Sequence, residues 1–366
     1  MRRIVTISYT GLNAGGGVPK FNRDLHAAFP DRECIHFCWE DFASCNGDDA
    51  SLTEWDRARI LNHYLIKTKS ITSDDVVIAD GFWASGLEHR FPLAVSHSHG
   101  IWSHLTHTDV ALGKEPDMPH HHAAQVSFRK RWTSLGKHIT AVSDFIANEM
   151  KLQWGFTVDR VINNGVDTNI YKPMEYKSSY LNRKLVIHGV NDRGNINKGW
   201  DHIELLNKSL DADVMSLDDA YQRFSFFSDR PWSKSEVLAQ ADLVVHPSGY
   251  EGNSMFIAEA LSCGVPVVGY AVGFLWKFLR TQTSRSIGEI LSVHEDGSGF
   301  REPKRTLRAC EEVLKLHESI LCKWYGMSIN KKLMGDYARE LAVKELSITK
   351  FNENWHSYIE EITNAT

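Results

Sequence analysis

A chain of 366 residues, 42% hydrophobic and 24% charged, is long enough for two separate cores and has the balance of a water-soluble globular protein. Its net charge of −5 and pI near 6.4 argue against a surface built to coat nucleic acid, and no apolar run is long enough to span a membrane. Six cysteines without a CxxC pair or a closely spaced framework, and no signal-peptide pattern, imply reduced thiols in a cytoplasmic protein.

Residues 3–9 (RIVTISY) read as a first strand, 10–17 (TGLNAGGG) as a Gly-rich turn, and 18–29 as a helix with Pro19 in its first turn. Gly15, Gly16 and Gly17 allow positive φ and close approach of the backbone to a ligand. A strand, Gly-rich loop and helix start is compatible with phosphate, although it is not GxGxxG; a tight turn is the plain alternative. Residues 34–39 read as a second strand and the polar, turn-rich 41–56 as a loop. Further strands are expected at 75–79 and 93–97, the latter running into His97-Ser98-His99-Gly100.

Residues 97–122 hold seven histidines, including His104, His107 and His120 to His122. A metal site is one reading, since neutral imidazole is a common ligand, but no HExxH-type spacing supports it. A His-rich loop is the other. Residues 126–138 read as a basic helix with Phe128 and Trp132 one turn apart and Arg129, Lys130, Arg131 and Lys137 around them. That pattern suits a solvated face, an anionic acceptor or peripheral contact with a membrane. A strand at 139–142 follows, with Ser143-Asp144 capping the next helix.

In the second half, strands are expected at 184–190, 212–217 and 223–227, with a helix opened by 195–199 (NINKG) and another at 233–240. Asp211-Ala212-Asp213 is a DxD triplet, but no buried strand precedes it, so it reads as surface. Residues 241–270 form a strand–helix–strand unit: 242–246 buried, a turn at Pro247 to Gly249, a helix capped by Asn253 or Ser254, then 265–270. Glu251 and Glu259 bracket the helix start. Eight residues of helix rise about 12 Å, too far for two carboxylates flanking one glycosidic bond at about 5 Å. The free N–H groups between them favour a phosphate. Acid, anion site, acid suits a nucleotide sugar; a solvated Glu251 and a helix-surface Glu259 is the plain alternative. A last strand is expected at 286–292, helix from 304 onward, and a terminal amphipathic helix at 350–362 carrying Phe351, Trp355, Tyr358, Ile359 and Ile362.

The wording PSGYEGNSMFIAEALSCGVPVVGY resembles the donor-binding signature of the family 4 retaining glycosyltransferases, and AVSDFIANEM and VINNGVDTNIYKP resemble the end of that family's first domain. The resemblance implies an α/β GT-B fold with two Rossmann-like domains facing across a cleft: 1–175 on the acceptor side, 181–345 on the donor side, and a helix at 346–366 returning to the first domain. It implies retaining transfer, of hexosyltransferase type, from a nucleoside diphosphate sugar to a saccharide or lipid-linked saccharide, with no metal or other cofactor. By the same resemblance Glu251, His99 and Lys198 carry catalysis: Glu251 and His99 beside the donor sugar, with His97 the alternative, and Lys198 on the diphosphate. Gly16, Gly17, Asn253, Ser254 and Met255 line the donor and Glu259 holds its ribose. Val190 stands where the family arginine is usual, so Arg193 is the candidate for that role. Val272-Gly273-Phe274 departs from the family's Gly-Gly…Glu, which leaves the sugar open. A phage-type DNA-base glycosyltransferase and a non-catalytic sugar-nucleotide-binding protein of the same fold are the rival readings, and an acidic chain makes nucleic acid the poorer partner.

Overall fold

The computed structural model describes residues 2–87, 90–100, 138–174, 184–190, 198–227, 230–278, 288–291 and 328–366. They fall into two compact units: one holds the residues up to Gly165 together with Thr349–Thr366, the other those of Val166–Ile348.

The first unit is built on six parallel strands: β1 (Ile4–Ser8), β2 (Cys34–Cys38), β3 (Val76–Asp80), β4 (Ala94–Ser98), β5 (His138–Ala141) and β6 (Arg160–Val161). Their order is β2-β1-β3-β4-β5-β6. All five residues of β1 and of β4 are buried, as expected of strands covered on both faces in a parallel sheet. Helices α1 (Gly17–Ala28), α2 (Trp39–Asn46), α3 (Glu54–Lys67) and α4 (Asp144–Trp154) flank them. Ser143 caps α4 through its side chain, which accepts from the Ile146 N–H at 3.3 Å.

The loop expected at 41–56 is largely helical. Trp39 is only 2% exposed and starts α2, while the Thr53 hydroxyl and the Asp56 carboxylate close a capping box on α3. Trp55, Ala58, Leu61 and Leu65 then form a buried stripe along α3. Burial of that stripe outweighs the polar composition that suggested a loop.

The second unit contains β7 (Leu185–His188), α5 (Trp200–Ser209), β8 (Asp213–Ser216), α6 (Leu217–Phe227), α7 (Lys234–Ala239), β9 (Leu243–His246), α8 (Met255–Ser262), β10 (Val267–Tyr270), β11 (Gly288–Leu291) and α9 (Ser328–Leu341). Its parallel sheet has the order β11-β10-β9-β7-β8. Its core gathers Ile187, Val244, Ile257, Leu261 and Val267 from the sheet and α8 with Phe224 and Trp232.

The strand expected at 223–227 is the last part of α6. Ser216 accepts the Asp219 N–H at 3.0 Å and starts the helix, and Ala220 and Phe224 bury one turn apart. The alternating FSFF is misleading because Phe226 and Phe227 point to solvent, 82% and 57% exposed. β8 consequently remains an edge strand, with the Arg223 guanidinium on Asp213 at 2.8 Å. Asp211 of the DxD triplet is exposed.

The chain ends in α10 (Ile348–Asn364), whose Phe351, Trp355, Tyr358, Ile359 and Ile362 are all buried. Trp355 meets Phe21 of α1 at a ring distance of 5.7 Å, and His356 donates to the Ala28 carbonyl at 2.7 Å. Among the described residues no helix is long and apolar enough to cross a membrane. The basic tract 126–137, Arg193, His104, His107 and His120 to His122 lie outside the described residues.

Candidate functional site

In the second unit β7 and β9 are adjacent although β8 separates them in sequence, so the strand order reverses between them. Ligands of open α/β sheets bind outside the strand carboxyl ends at such a reversal. Lys198 lies on the segment after β7, and Glu251 on the turn after β9. The two meet there, Lys198 Nζ to Glu251 Oε1 at 2.6 Å.

Local backbone makes that meeting possible. Gly199, which precedes α5, has φ +77°, and a Cβ on it would lie 2.4 Å from the Pro247 carbonyl oxygen. Only glycine lets the Lys198 segment pack this closely on the 247–251 turn. Gly273 does the same beyond β10: its φ is +54° and an added Cβ would lie 3.2 Å from the Gly252 carbonyl. The Val272-Gly273-Phe274 segment, where the chain leaves the family pattern, therefore lies against the Glu251 turn.

Burial alone would raise the Glu251 carboxyl, but the Lys198 ammonium and hydrogen bonds from Lys198 and Ser248 outweigh it and hold the group below the usual range. His246, at the end of β9, has its Nε2 3.8 Å from Glu251. Burial, opposed by Glu251 and aided by Lys198, lowers His246 to about 4. His246 is thus neutral near pH 7 and Glu251 is ionised. Neither His246 nor Ser248 was picked out in the sequence; the clue was their place at the end of the strand that leads into Glu251.

Asn253, Ser254 and Met255 follow Glu251 directly into α8, where Ser254 is the N-cap but makes no side-chain capping bond. No acidic residue occupies the first turn. Glu259 lies one turn on, hydrogen-bonded by the Tyr171 hydroxyl, whose own titration burial and Glu259 push up. Tyr171 is held in turn by its carbonyl, which accepts from Arg339 at 2.7 Å and from Ser262.

In the first unit, Gly16 has φ +107° and is the N-cap of α1, without a side-chain cap, and Gly17 opens the helix. A polar chain orients this loop. The Thr10 carbonyl accepts from Ser8 at 2.9 Å and from His36 Nε2 at 3.0 Å. With that nitrogen protonated, His36 Nδ1 accepts from Thr6 at 2.8 Å, and Thr6 accepts from His26 at 2.9 Å. Burial lowers His26 to about 4, with His36 adding to the effect. His97 is fully buried, stacked on Phe21 and bonded through Nδ1 to Thr140 at 2.9 Å. His99 is half-buried, edge-on to Phe21 at 4.6 Å, and lowered by burial to about 3. At the end of β3, Asp80 is raised to about 7 by burial and by Glu54, and Glu54 is raised to about 7 by burial. The sequence does not single out this acid pair, because Glu54 falls in the polar stretch 41–56 that reads as loop.

The structure thus brings Lys198, Glu251, Asn253, Ser254, Met255 and Glu259 into one region of the second unit, with Gly16, Gly17 and His99 in the first. Residues 178–288 match a family described as "Glycosyl transferases group 1". No curated protein sequence matches the chain. Among solved structures, Anabaena HepE in complex with UDP and glucose is similar at TM-score 0.61 and 16% identity, covering 99% of this chain and 100% of that one. Sucrose-phosphate synthase from Thermosynechococcus elongatus gives 0.65 at 12% identity, and a glycosyltransferase from Rickettsia africae gives 0.60 at 13%; each covers 100% of both chains. The likeness shows the GT-B fold.

Proposed function

We propose that this chain is a glycosyltransferase that moves a hexosyl unit from a nucleoside diphosphate sugar to a saccharide or lipid-linked saccharide, with retention of configuration. The observation that carries the reading is the Lys198–Glu251 pair at the strand-order reversal, next to the start of α8. The partial family match over this region and the UDP-glucose bound by the structurally similar HepE support a nucleotide-sugar donor.

The chemistry follows from charge. As the glycosidic bond to the diphosphate breaks, negative charge grows on the leaving oxygen. Lys198 and the first amides of α8 stabilise it where it develops. Glu251, ionised and acceptor-only, accepts hydrogen bonds from hydroxyls of the donor sugar and fixes its orientation. Lys198 is shared in this scheme: bound to Glu251 without donor, it turns to the diphosphate when donor arrives. Glu259 holds the ribose hydroxyls, and Arg193, His99, Gly16 and Gly17 keep the donor contacts that the resemblance implies. Lysine and helix amides do the work of a divalent cation, so transfer proceeds without metal or other cofactor.

The test is donor-stimulated hydrolysis across a panel of nucleotide sugars, with the anomer of the released sugar followed by NMR. Consumption of one donor with an initially retained anomer is expected. No consumption of any nucleotide sugar, or an inverted product, would sink the reading.

A further inference from the structure

Two residues beyond Lys198, Trp200 lines a cavity of about 280 Å³ at the carboxyl ends of β7 and β8. His188 and Val190 close it on the β7 side, Ser216 at the end of β8, and Asp218 and Asp219 from the first turn of α6. The volume lies just below the usual range of small-molecule pockets, about 300–1,000 Å³. It suits one planar ring system better than a sugar diphosphate.

Charge narrows the guest further. Among the described residues that line the cavity there are two carboxylates and no lysine or arginine. His188 is lowered to about 4 by burial, against the pull of Asp219, and is neutral near pH 7. A phosphate would meet repulsion here from the Asp219 carboxylate. The guest must be uncharged, flat enough to lie beside the His188 and Trp200 rings, 6.3 Å apart, and able to donate hydrogen bonds.

The two acids are not equivalent. Asp218 is drawn to Lys234. Asp219 accepts from the Ser216 hydroxyl at 2.8 Å and, lining the same cavity as His188, favours the charged form of that ring. A carboxylate has about four lone-pair sites, so Asp219 keeps room for a two-point contact. Guanine presents two adjacent donors, N1–H and the 2-amino group. Uracil presents one donor between two acceptors, and adenine and cytosine each set a donor beside an acceptor. A carboxylate therefore pairs in two-point fashion with guanine alone and repels the carbonyls of uracil.

We infer that this cavity takes the base of the donor nucleotide and that Asp219 selects guanine. The inference rests on the donor reading above. It is tested by calorimetric titration of the full chain with GDP, UDP and ADP at one salt concentration, repeated with Asp219→Asn. GDP should bind the wild type at least about tenfold more tightly than UDP or ADP, the scale of one good two-point contact to a base. In Asp219→Asn that gap should close to within about threefold at an unchanged melting temperature, because an amide offers one acceptor and sets a donor against the base. Tightest binding of UDP or ADP, or a GDP preference that survives in a folded Asp219→Asn, would overturn the base assignment while leaving the donor reading standing. Should the variant not fold, the wild-type ranking alone decides. Failure of all three nucleotides to bind the wild type would overturn both.

Discussion

Lys198 and Glu251 are worth more together than apart. A carboxylate taken out of water costs several kcal/mol unless it is paired, and Glu251 has its ammonium at 2.6 Å. Lys198→Ala removes the proposed contact to the donor and strands a buried charge at once. Nucleotide affinity should fall by about 1.5–3 kcal/mol, the range for a hydrogen bond to a charged group; an unchanged calorimetric affinity in a folded variant would contradict the assignment. The same change should alter stability with pH. In the wild type the Glu251 carboxyl is held below its usual value, so its contribution is present above the unfolded-state value near 4.3 and is lost as pH falls. Without Lys198, burial raises the group instead, and the variant should lose stability as pH rises. Melting curves between pH 4 and 8 distinguish the two slopes.

Asp80 supplies the opposite sign in the native chain. Raised to about 7, it binds a proton between pH 4 and 7 that the unfolded chain releases, so its contribution weakens as pH climbs through that window. Asp80→Asn should therefore raise the melting temperature more at pH 8 than at pH 4.5. Equal shifts at both pH values would mean that Asp80 titrates like an exposed acid.

At the scale of elements, short segments hold the site through backbone fit. The turn after β9 and the segment before α5 touch because Gly199 has no side chain. Gly199→Ala adds a Cβ at 2.4 Å from a carbonyl oxygen and demands positive φ from alanine, so the two segments must part. Nucleotide binding should fall together with the melting temperature. Retention of both would mean that Lys198 does not depend on this packing. The capping box of α7, Ser233 with Glu236, starts the helix that delivers the chain to β9. Ser233→Ala should cost about 1 kcal/mol, measured by denaturant unfolding, without changing the order of donor preference.

For the molecule as a whole, the last helix completes the first unit. Trp355 is fully buried against Phe21 and beside His97, so Trp355→Ala should destabilise by about 3–5 kcal/mol, read as a lowered denaturation midpoint. The acceptor belongs to this scale too. A DNA-modifying enzyme must neutralise phosphates and would lose affinity steeply with salt, whereas this chain carries a net charge of −5. We expect weak, non-specific retention of duplex DNA at low salt and transfer that persists in EDTA. Salt-sensitive tight binding with sugar transfer to hydroxymethylated DNA would reverse the acceptor choice, and loss of transfer in EDTA restored by manganese would reverse the metal-free scheme.

What the sequence determined by itself was whatever local pattern controls. Continuous apolar runs marked β7 and β9, and β-branched residues marked β1, because strands buried on both faces admit mainly such side chains. The spacing of Phe351, Trp355, Tyr358, Ile359 and Ile362 marked α10, and the wording around Glu251 and Glu259 marked the strand–helix–strand unit for which donor binding is proposed. Tertiary structure decided the cases in which burial overrides appearance. Residues 41–56 look polar, yet Trp39 and Trp55 anchor helices; 223–227 alternates like a strand, yet only Phe224 finds the core. It alone set Lys198 against Glu251, since a contact across 53 residues depends on strand order and on a glycine that admits a carbonyl. It alone tied Tyr171 to Glu259 and brought Asp219 and His188 to one cavity, because long-range partners are chosen by packing and leave no local pattern in the chain.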